Sequence, residues 1–210
     1  MSQENWPAAL AGTIAGEVRR YRKLRGMTAQ ELADRCGEIG MPFPRAVLAN
    51  FETGRRPTVS VAELLVLAAA LEVPPVVLIA PIGRARTAEA LPGQELDPWA
   101  EALWASGYVR IRHLDGDWEL SAIGSDDEDG IVPLYDRHDQ LVEELSNQDG
   151  FWSEQAATAD SPEDMRRTVS WRSALEDSLR SIRSRMRELN LIPPDLPNEL
   201  AYMGEDSSEG

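Results

Sequence analysis

The basic side chains of this 210-residue chain are almost all guanidinium groups. Of its 21 basic residues, Lys23 is the only lysine. Guanidinium groups bind phosphate and carboxylate in a bidentate manner, so contact with a polyanion or an acidic partner is the first chemistry to consider. The net charge of −15 excludes a uniformly basic nucleic-acid wrapper. This net charge does not exclude a local basic face.

The charge is divided unevenly along the chain. Residues 1–90 hold 11 basic and 9 acidic residues, a net charge of +2, whereas residues 91–210 hold 10 and 27, a net charge of −17. We therefore expect the two parts to have different partners, with the acidic part facing away from any polyanion.

Residues suited to catalysis are few. Of the two histidines, His113 lies on an expected hairpin and His138 in a polar helical stretch, and neither has an obvious partner. The single cysteine, Cys36, excludes an internal disulfide and a zinc site built from cysteines. An enzyme needs an activated nucleophile, paired carboxylates or a metal cluster. We therefore expect no enzyme, no cofactor and no metal centre.

An acidic segment has spacing close to that of a calcium-binding loop. Its members are Ser125, Asp127, Asp129, Gly130 and Asp136. A serine stands at the first ligand position and an aspartate replaces the bidentate glutamate at the last. A solvated acidic loop is therefore favoured over a calcium site.

The first 82 residues carry the signals of five short helices. Apolar residues recur at spacings of three and four from Ile14 onward, and Thr28 and Ser60 are each followed three residues later by glutamate, which is a capping-box pattern. Glycines and prolines supply the stops. The predicted helices are Thr13–Arg25, Thr28–Arg35, Arg45–Thr53, Val61–Leu71 and a short fifth helix that begins at Pro74 or Pro75 and ends at Ile79.

The remaining sequence predicts a small α+β region. Asp97 caps a short helix to Ser106 that presents Trp99 and Leu103, and Asp115-Gly116 joins two strands as a hairpin turn. The other predicted elements are strands 108–114 and 118–123, a helix over 134–146 and a long helix over 161–190. We expect a domain over 1–83, a linker over 84–97, a C-terminal region over 98–192 and a flexible tail over 193–210.

These elements resemble the Xre/phage-repressor (Cro/C1-type) family of helix-turn-helix regulators. The matching residues are Ile14, Val18, Tyr21-Arg22, Arg25-Gly26-Met27-Thr28, Glu31-Leu32-Ala33, Leu48, Phe51-Glu52-Thr53-Gly54-Arg55 and Leu64–Val73. The resemblance implies a mainly α fold with a five-helix lambda-repressor-like domain at the N-terminus. It also implies a bacterial DNA-binding transcription regulator whose helix 45–53 enters the major groove.

The resemblance assigns DNA contacts by position. Arg45 would take a guanine edge and Asn50 an adenine edge, while the small apolar residues of the same helix would meet thymine methyl groups. The implied base-contacting residues are Arg45, Ala46, Val47, Ala49 and Asn50. The implied phosphate-contacting residues are Arg19, Lys23, Thr28, Gln30, Arg55 and Arg56.

The family also pairs the positions of Arg22 and Glu52, and this pair is expected to orient the recognition helix. The chain departs from the family pattern in three places. The turn is lengthened by residues 38–42, as in actinobacterial variants, Ala29 replaces a phosphate-contacting glutamine, and Pro44 replaces the polar N-cap. These departures bear on the docking angle of the helix.

The long C-terminal helix carries a heptad pattern. Apolar positions alternate spacings of three and four at Leu175, Leu179, Ile182, Met186 and Leu189. Such a stripe predicts a homodimer seam, which would let the protein read two half-sites. The alternative is packing against the 134–146 helix of the same chain.

Together these features predict a dimeric, sequence-specific DNA-binding transcription regulator. The alternative is an antitoxin or another interaction module whose acidic C-terminal part binds a partner protein and whose DNA binding serves autoregulation. The first residues carry no signal-peptide pattern, and acidic residues and prolines interrupt the apolar stretch 59–82. We therefore expect a cytoplasmic protein without a membrane partner.

Overall fold

The computed structural model describes residues 5–114, 117–128, 130–147 and 162–204. The chain forms two compact units, Met1–Ser121 and Ala122–Gly210. The described part is mainly helical with two small two-stranded sheets, which confirms the predicted fold class. The boundary lies later than the expected one at residue 83, because the segment after the fifth helix packs onto the first and the fifth helix.

The first unit begins with five helices, of which α2 and α4 start at the predicted capping boxes. Glu31 N donates to Thr28 Oγ1 at 3.2 Å, and Thr28 N donates to the Glu31 carboxylate at 2.6 Å. The same reciprocal pair forms between Ser60 and Glu63. The helices are α1 (Trp6–Leu24), α2 (Ala29–Glu38), α3 (Arg45–Glu52), α4 (Val61–Ala70) and α5 (Val76–Ile79).

Each of these five helices contributes at least one fully buried aliphatic side chain to a common core. Val18, Leu32, Leu48, Leu67 and Leu78 are all 0% exposed. Burying such a side chain stabilises a fold by about 1.5 to 3 kcal/mol, so the helices depend on one another for stability. Cys36 is packed in the same core. Burial raises the pKa of its thiol to about 11, so this cysteine is a packing residue.

The expected linker is in fact structured. Strands β1 (Ala88–Leu91) and β2 (Gln94–Leu96) pair antiparallel around Gly93, whose φ of +74° favours glycine. Trp6 Nε1 donates to Glu89 O at 2.9 Å, which ties β1 to the start of α1. The prediction of a linker was wrong because these strands are short and their alternation is weak.

Helix α6 (Pro98–Ala105) follows, capped by Asp97 as predicted, and leads into strands β3 (Val109–Leu114) and β4 (Asp117–Ala122). The predicted turn residues Asp115 and Gly116 lie outside the described residues. The buried face of α6 differs from the expected one. Trp99 is 59% exposed, whereas Glu101 is only 3% exposed.

The second unit is built on two helices and a short 3₁₀ helix. Helices α7 (Ile131–Asn147) and α8 (Pro162–Glu188) pack along each other, and the 3₁₀ helix Asn198–Met203 packs against α7. The residues that form its buried core are Leu141, Leu145, Leu175, Leu179, Leu200 and Met203.

The heptad positions of α8 require a correction, because a single chain already covers most of the proposed dimer seam. Leu175, Leu179 and Met186 are 8%, 0% and 0% exposed. Ile182 packs on the same core, and Leu189 is half-buried. The stripe is therefore occupied by α7 and the 3₁₀ helix, and packing within one chain explains the heptad without a second copy.

The expected flexible tail also requires a correction. Leu200 is 0% exposed and Met203 7% exposed, both within the core of the second unit. Apolar burial holds this part of the tail in place. Residues 205–210 lie outside the described residues.

Within the described residues, no helix combines the length and the apolar character needed to cross a membrane.

Candidate nucleic-acid interface

Helix α3 is positioned by the turn that precedes it. Residues 39–44 connect α2 to α3, and Phe43, 8% exposed, anchors this lengthened turn in the helical core. Pro44 supplies a carbonyl that accepts hydrogen bonds from Val47 N at 2.8 Å and Leu48 N at 3.1 Å. Helix α3 thus begins without a side-chain cap, and its orientation comes from Phe43, Leu48 and Phe51 in the core.

A buried ion pair holds the other end of α3. Arg22 Nε and Nη2 each donate to one oxygen of the Glu52 carboxylate at 2.6 Å, and Arg22 Nη1 donates to Met27 O at 2.7 Å. The hydrogen bonds that Arg22 donates to Glu52 raise the pKa of the Arg22 guanidinium above its usual value. One side chain therefore joins α1, the loop before α2 and the end of α3. This is the pair that the family resemblance implied.

The solvent face of α3 carries four of the five residues assigned to base contact. Arg45, Ala46, Ala49 and Asn50 are exposed, while Leu48 and Phe51 lie on the opposite, buried face. The fifth, Val47, requires a correction because it is half-buried and packs against the core. The open face thus offers an arginine at one end, an asparagine one and a half turns later, and small side chains between them.

The loop after α3 presents its two arginines differently. Arg55 is exposed, but Arg56 is partly buried and bound to Glu63, with Nη1–Oε1 at 2.7 Å and Nη2–Oε2 at 3.0 Å. Burial opposes the charge of Glu63, yet the hydrogen bonds from Arg56 and Ser60 lower the pKa of this carboxyl. The phosphate role given to Arg56 is corrected accordingly, since Glu63 already offsets much of its charge.

A shallow depression of about 590 Å³ lies beside the end of α3. Its lining includes Asn50, Arg55 and Arg56, and the backbone amides of both arginines donate to Asn50 O at 2.9 and 3.3 Å. The loop is therefore joined to α3 by its own hydrogen bonds. An anion bound here would lie beside the exposed residues that were assigned to base contact.

The cationic run of α1 is only partly available for binding. Arg20 pairs with Glu17 at 2.6 Å and lies 3.9 Å from the ring centroid of Tyr21. Arg19 and Lys23 are exposed, and within the described residues their side chains form no hydrogen bond or ion pair. They are the two cations of this run that were assigned to phosphate contact.

The remaining phosphate-contact assignments fall on residues with other partners. Thr28 uses its hydroxyl oxygen as the acceptor of the α2 cap, and Gln30 Nε2 donates to Asp34 Oδ1 at 2.8 Å. The Thr28 hydroxyl can still donate a proton while it accepts one. Gln30 lies on an exposed surface and would have to exchange its partner.

Sequence reasoning missed the pairing of Arg56 with Glu63. The signal was present, because Glu63 occupies the third position of a capped helix and Arg56 lies seven residues before it. It also missed the contact between Arg183 and His138, which are 45 residues apart, with Arg183 Nη1 3.0 Å from His138 Nε2.

Within the described residues, no group of three histidine, cysteine, aspartate or glutamate residues is arranged to hold a metal ion. In the acidic segment, Asp127 Oδ2 accepts a hydrogen bond from Gly124 N at 2.7 Å, so this carboxylate caps a turn. Asp129 lies outside the described residues.

The geometry of α2, the turn and α3 is that of a helix-turn-helix. Residues 13–80 match a family model described as a helix-turn-helix domain. Comparison with curated proteins and with solved structures found no match to this chain. The match confirms the predicted helix-turn-helix, and this class of domain binds DNA through its second helix.

Proposed function

We propose that this chain is a sequence-specific DNA-binding transcription regulator of the Xre/phage-repressor type, without catalytic activity, that reads the major groove with α3. The observation that carries the proposal is the exposed face of α3, with Arg45 and Asn50 on a helix anchored by the Arg22–Glu52 pair. A recognition helix must be held rigidly for its side chains to discriminate between bases.

Each exposed residue has a role in this proposal. Arg45 donates to the O6 and N7 atoms of guanine, Asn50 pairs with an adenine edge, and Ala46 and Ala49 lie against thymine methyl groups. Arg55, Arg19 and Lys23 contact phosphates and set the register on the duplex. Two copies on two half-sites would extend the sequence that is read. Since the α8 stripe is covered within one chain, DNA-bound copies would associate through another surface.

The test is selection of duplexes from a random pool by the full-length protein, followed by anisotropy measurements on the selected sequence. We expect the parent protein to select a recurring sequence. Arg45→Ala should lose the preference for one base pair within that sequence. Arg84→Ala is the matched control, because Arg84 is exposed but lies outside α3 and its flanking loop. A folded protein that selects no sequence at low salt would contradict the proposal.

A second candidate function is favoured by the charge of the C-terminal part. With a net charge of −17, residues 91–210 would attract a basic protein partner. The chain would then be an antitoxin or a related interaction module, with DNA binding for autoregulation. Repeating the selection experiment with a copurified partner separates the two proposals. The partner should change the DNA affinity only if the chain is an antitoxin or a related interaction module.

A further inference from the structure

The first unit contains a partly open pocket that the DNA-binding role does not use. Its volume is about 230 Å³, and its walls come from α1, the end of α5, the segment before β1, β1 itself and α6. At roughly 30 Å³ for each water-sized group, it has room for about seven such groups. This is the size of a small organic molecule.

One residue that lines the pocket has a buried carboxyl oxygen without a hydrogen-bond partner in the described part of the chain. Glu101 lines the pocket, is 3% exposed, and its Oε2 atom is buried without a hydrogen-bond partner among the described residues. Burial raises the pKa of this carboxyl to about 7. Burying a carboxyl without a partner costs free energy, so buried polar groups of this kind call for a ligand or another compensating group.

The other lining residues define what would fit. Among them, the charged residues are Glu101 and Glu89, both acidic, so a cation is favoured over an anion. Thr13 also lines the pocket, and its Oγ1 donates to Ala9 O at 3.3 Å, which leaves the oxygen able to accept a hydrogen bond. Leu10 and Ile79 supply apolar walls.

We propose that this pocket binds a small aliphatic ammonium ion, with the charged nitrogen at Glu101 and Thr13 and the hydrocarbon part against Leu10 and Ile79. An ammonium group has three donors and no acceptor, which complements a carboxylate and a hydroxyl oxygen. A short, branched or linear alkyl chain of about four to six carbons matches the volume at roughly 30 Å³ per group. The site is separate from the exposed face of α3, so its existence does not depend on the proposed function.

The test uses three molecules with one carbon skeleton: 3-methylbutylammonium, 3-methyl-1-butanol and 3-methylbutanoate. Each is titrated into the full-length protein and followed by amide NMR shifts, with thermal unfolding as a second measurement. We expect saturable shifts around Thr13, Ala88 and Glu101 with the ammonium ion. The alcohol should bind at least about tenfold more weakly, and the carboxylate should not bind.

Variants identify the group responsible. Glu101→Gln keeps the shape of the side chain and should weaken ammonium binding at least about tenfold. Thr13→Val removes the acceptor and should weaken it by a smaller factor. Glu128→Gln removes an exposed carboxylate of the second unit and should leave binding unchanged.

Three results would overturn the proposal. They are the absence of saturable binding by the ammonium ion, equal binding of ion and alcohol, and unchanged binding by Glu101→Gln. If Glu101→Gln unfolds, Thr13→Val decides the matter, since unchanged ammonium affinity in that variant contradicts the proposed position of the nitrogen.

Discussion

Each unit of this protein has an arginine whose side chain is mostly covered, and the two are held by different chemistry. In the first unit, Arg22 donates to both oxygens of Glu52 at 2.6 Å. In the second, Arg183 Nη1 lies 3.0 Å from His138 Nε2 and donates to Pro194 O at 2.7 Å. Because a guanidinium only donates, His138 Nε2 must accept, which leaves the proton on Nδ1, 3.0 Å from Asp139 Oδ1.

The difference shows how each unit joins distant segments. The first unit joins α1 to α3 through opposite charges, an arrangement that gives a fixed orientation through two parallel hydrogen bonds. The second unit joins α8 to α7 and to the segment before the 3₁₀ helix through an arginine that needs the lone pair of His138 Nε2 as its acceptor. The end of α3 is therefore fixed by a bidentate ion pair, whereas the second unit offers its arginine two neutral acceptors, a ring nitrogen and a backbone carbonyl.

Removing one partner of the first pair is the strongest way to test this comparison. Arg22→Met leaves the Glu52 carboxylate buried and unpaired, so we expect a loss of about 3 to 5 kcal/mol in the free energy of unfolding of the first unit. Hydrogen exchange of α3 amides in the full chain measures it. The double variant Arg22→Met/Glu52→Leu should recover most of the loss. If the single variant is as stable as the parent, the pair does not hold α3.

Truncating the core of the second unit tests whether that unit is closed within one chain. Leu179 is fully buried, so Leu179→Ala should cost about 2 to 5 kcal/mol in the second unit. Sedimentation should not change, whereas amides of α7 and α8 should exchange faster. The partly exposed neighbour Ile182, as Ile182→Val, serves as the mild control. If the variant instead sediments very differently while its amide exchange is unchanged, the stripe on α8 would be a dimer interface after all.

Glu101, the most deeply buried acid described in the first unit, extends the comparison to the pH dependence of stability. The pKa of Glu101 is raised to about 7 by burial, so the folded state holds a proton there that the unfolded state releases near pH 4.5. Stability from this group is complete below about pH 4.5, falls as the pH rises to 7, and levels off above it, where the carboxyl is ionised in both states.

We therefore expect Glu101→Gln to gain stability relative to the parent between pH 5 and 8, by up to about 3 kcal/mol. Urea unfolding at both pH values measures the difference between the two proteins. Glu128→Gln should show no such trend. A constant difference across this range would mean that Glu101 is ionised in the folded state throughout.

The exposed arginines of the first unit carry the smallest expected effects. Arg45→Ala should cost about 1 to 3 kcal/mol on the selected DNA and relax the preference at one base pair. Arg55→Ala should weaken binding to all sequences alike and reduce the salt slope by about one unit. Anisotropy titrations at several salt concentrations measure both. Identical behaviour of the two variants would contradict the separate roles.

The helices could be predicted from sequence because their signals are local. Thr28 with Glu31 and Ser60 with Glu63 cap within one turn, and Gly26 and Gly54 adopt φ angles of +66° and +72° that favour glycine after a helix. The Arg22–Glu52 pair followed from the family resemblance. Each of these features depends on a few neighbouring residues or on a known pattern.

The rest depended on contacts between residues far apart in sequence. Helix α6 exposes Trp99 and buries Glu101, the reverse of what hydrophobicity alone predicts, because tertiary packing decides which face is covered. The heptad pattern of α8 is the same whether its apolar stripe packs against a second copy or against α7 of the same chain. His138 and Arg183 gave no sequence signal of their contact across 45 residues.

The anchoring of α3 also bears on how binding specificity can change over evolution. Arg22, Glu52, Leu48 and Phe51 hold the helix from its buried side, whereas Arg45, Ala46, Ala49 and Asn50 lie in solvent. Surface substitutions away from structural features usually change stability by less than about 0.5 kcal/mol. The side chains on the open face can therefore change almost free of selection for folding, and a designer could exchange them together without disturbing the helix.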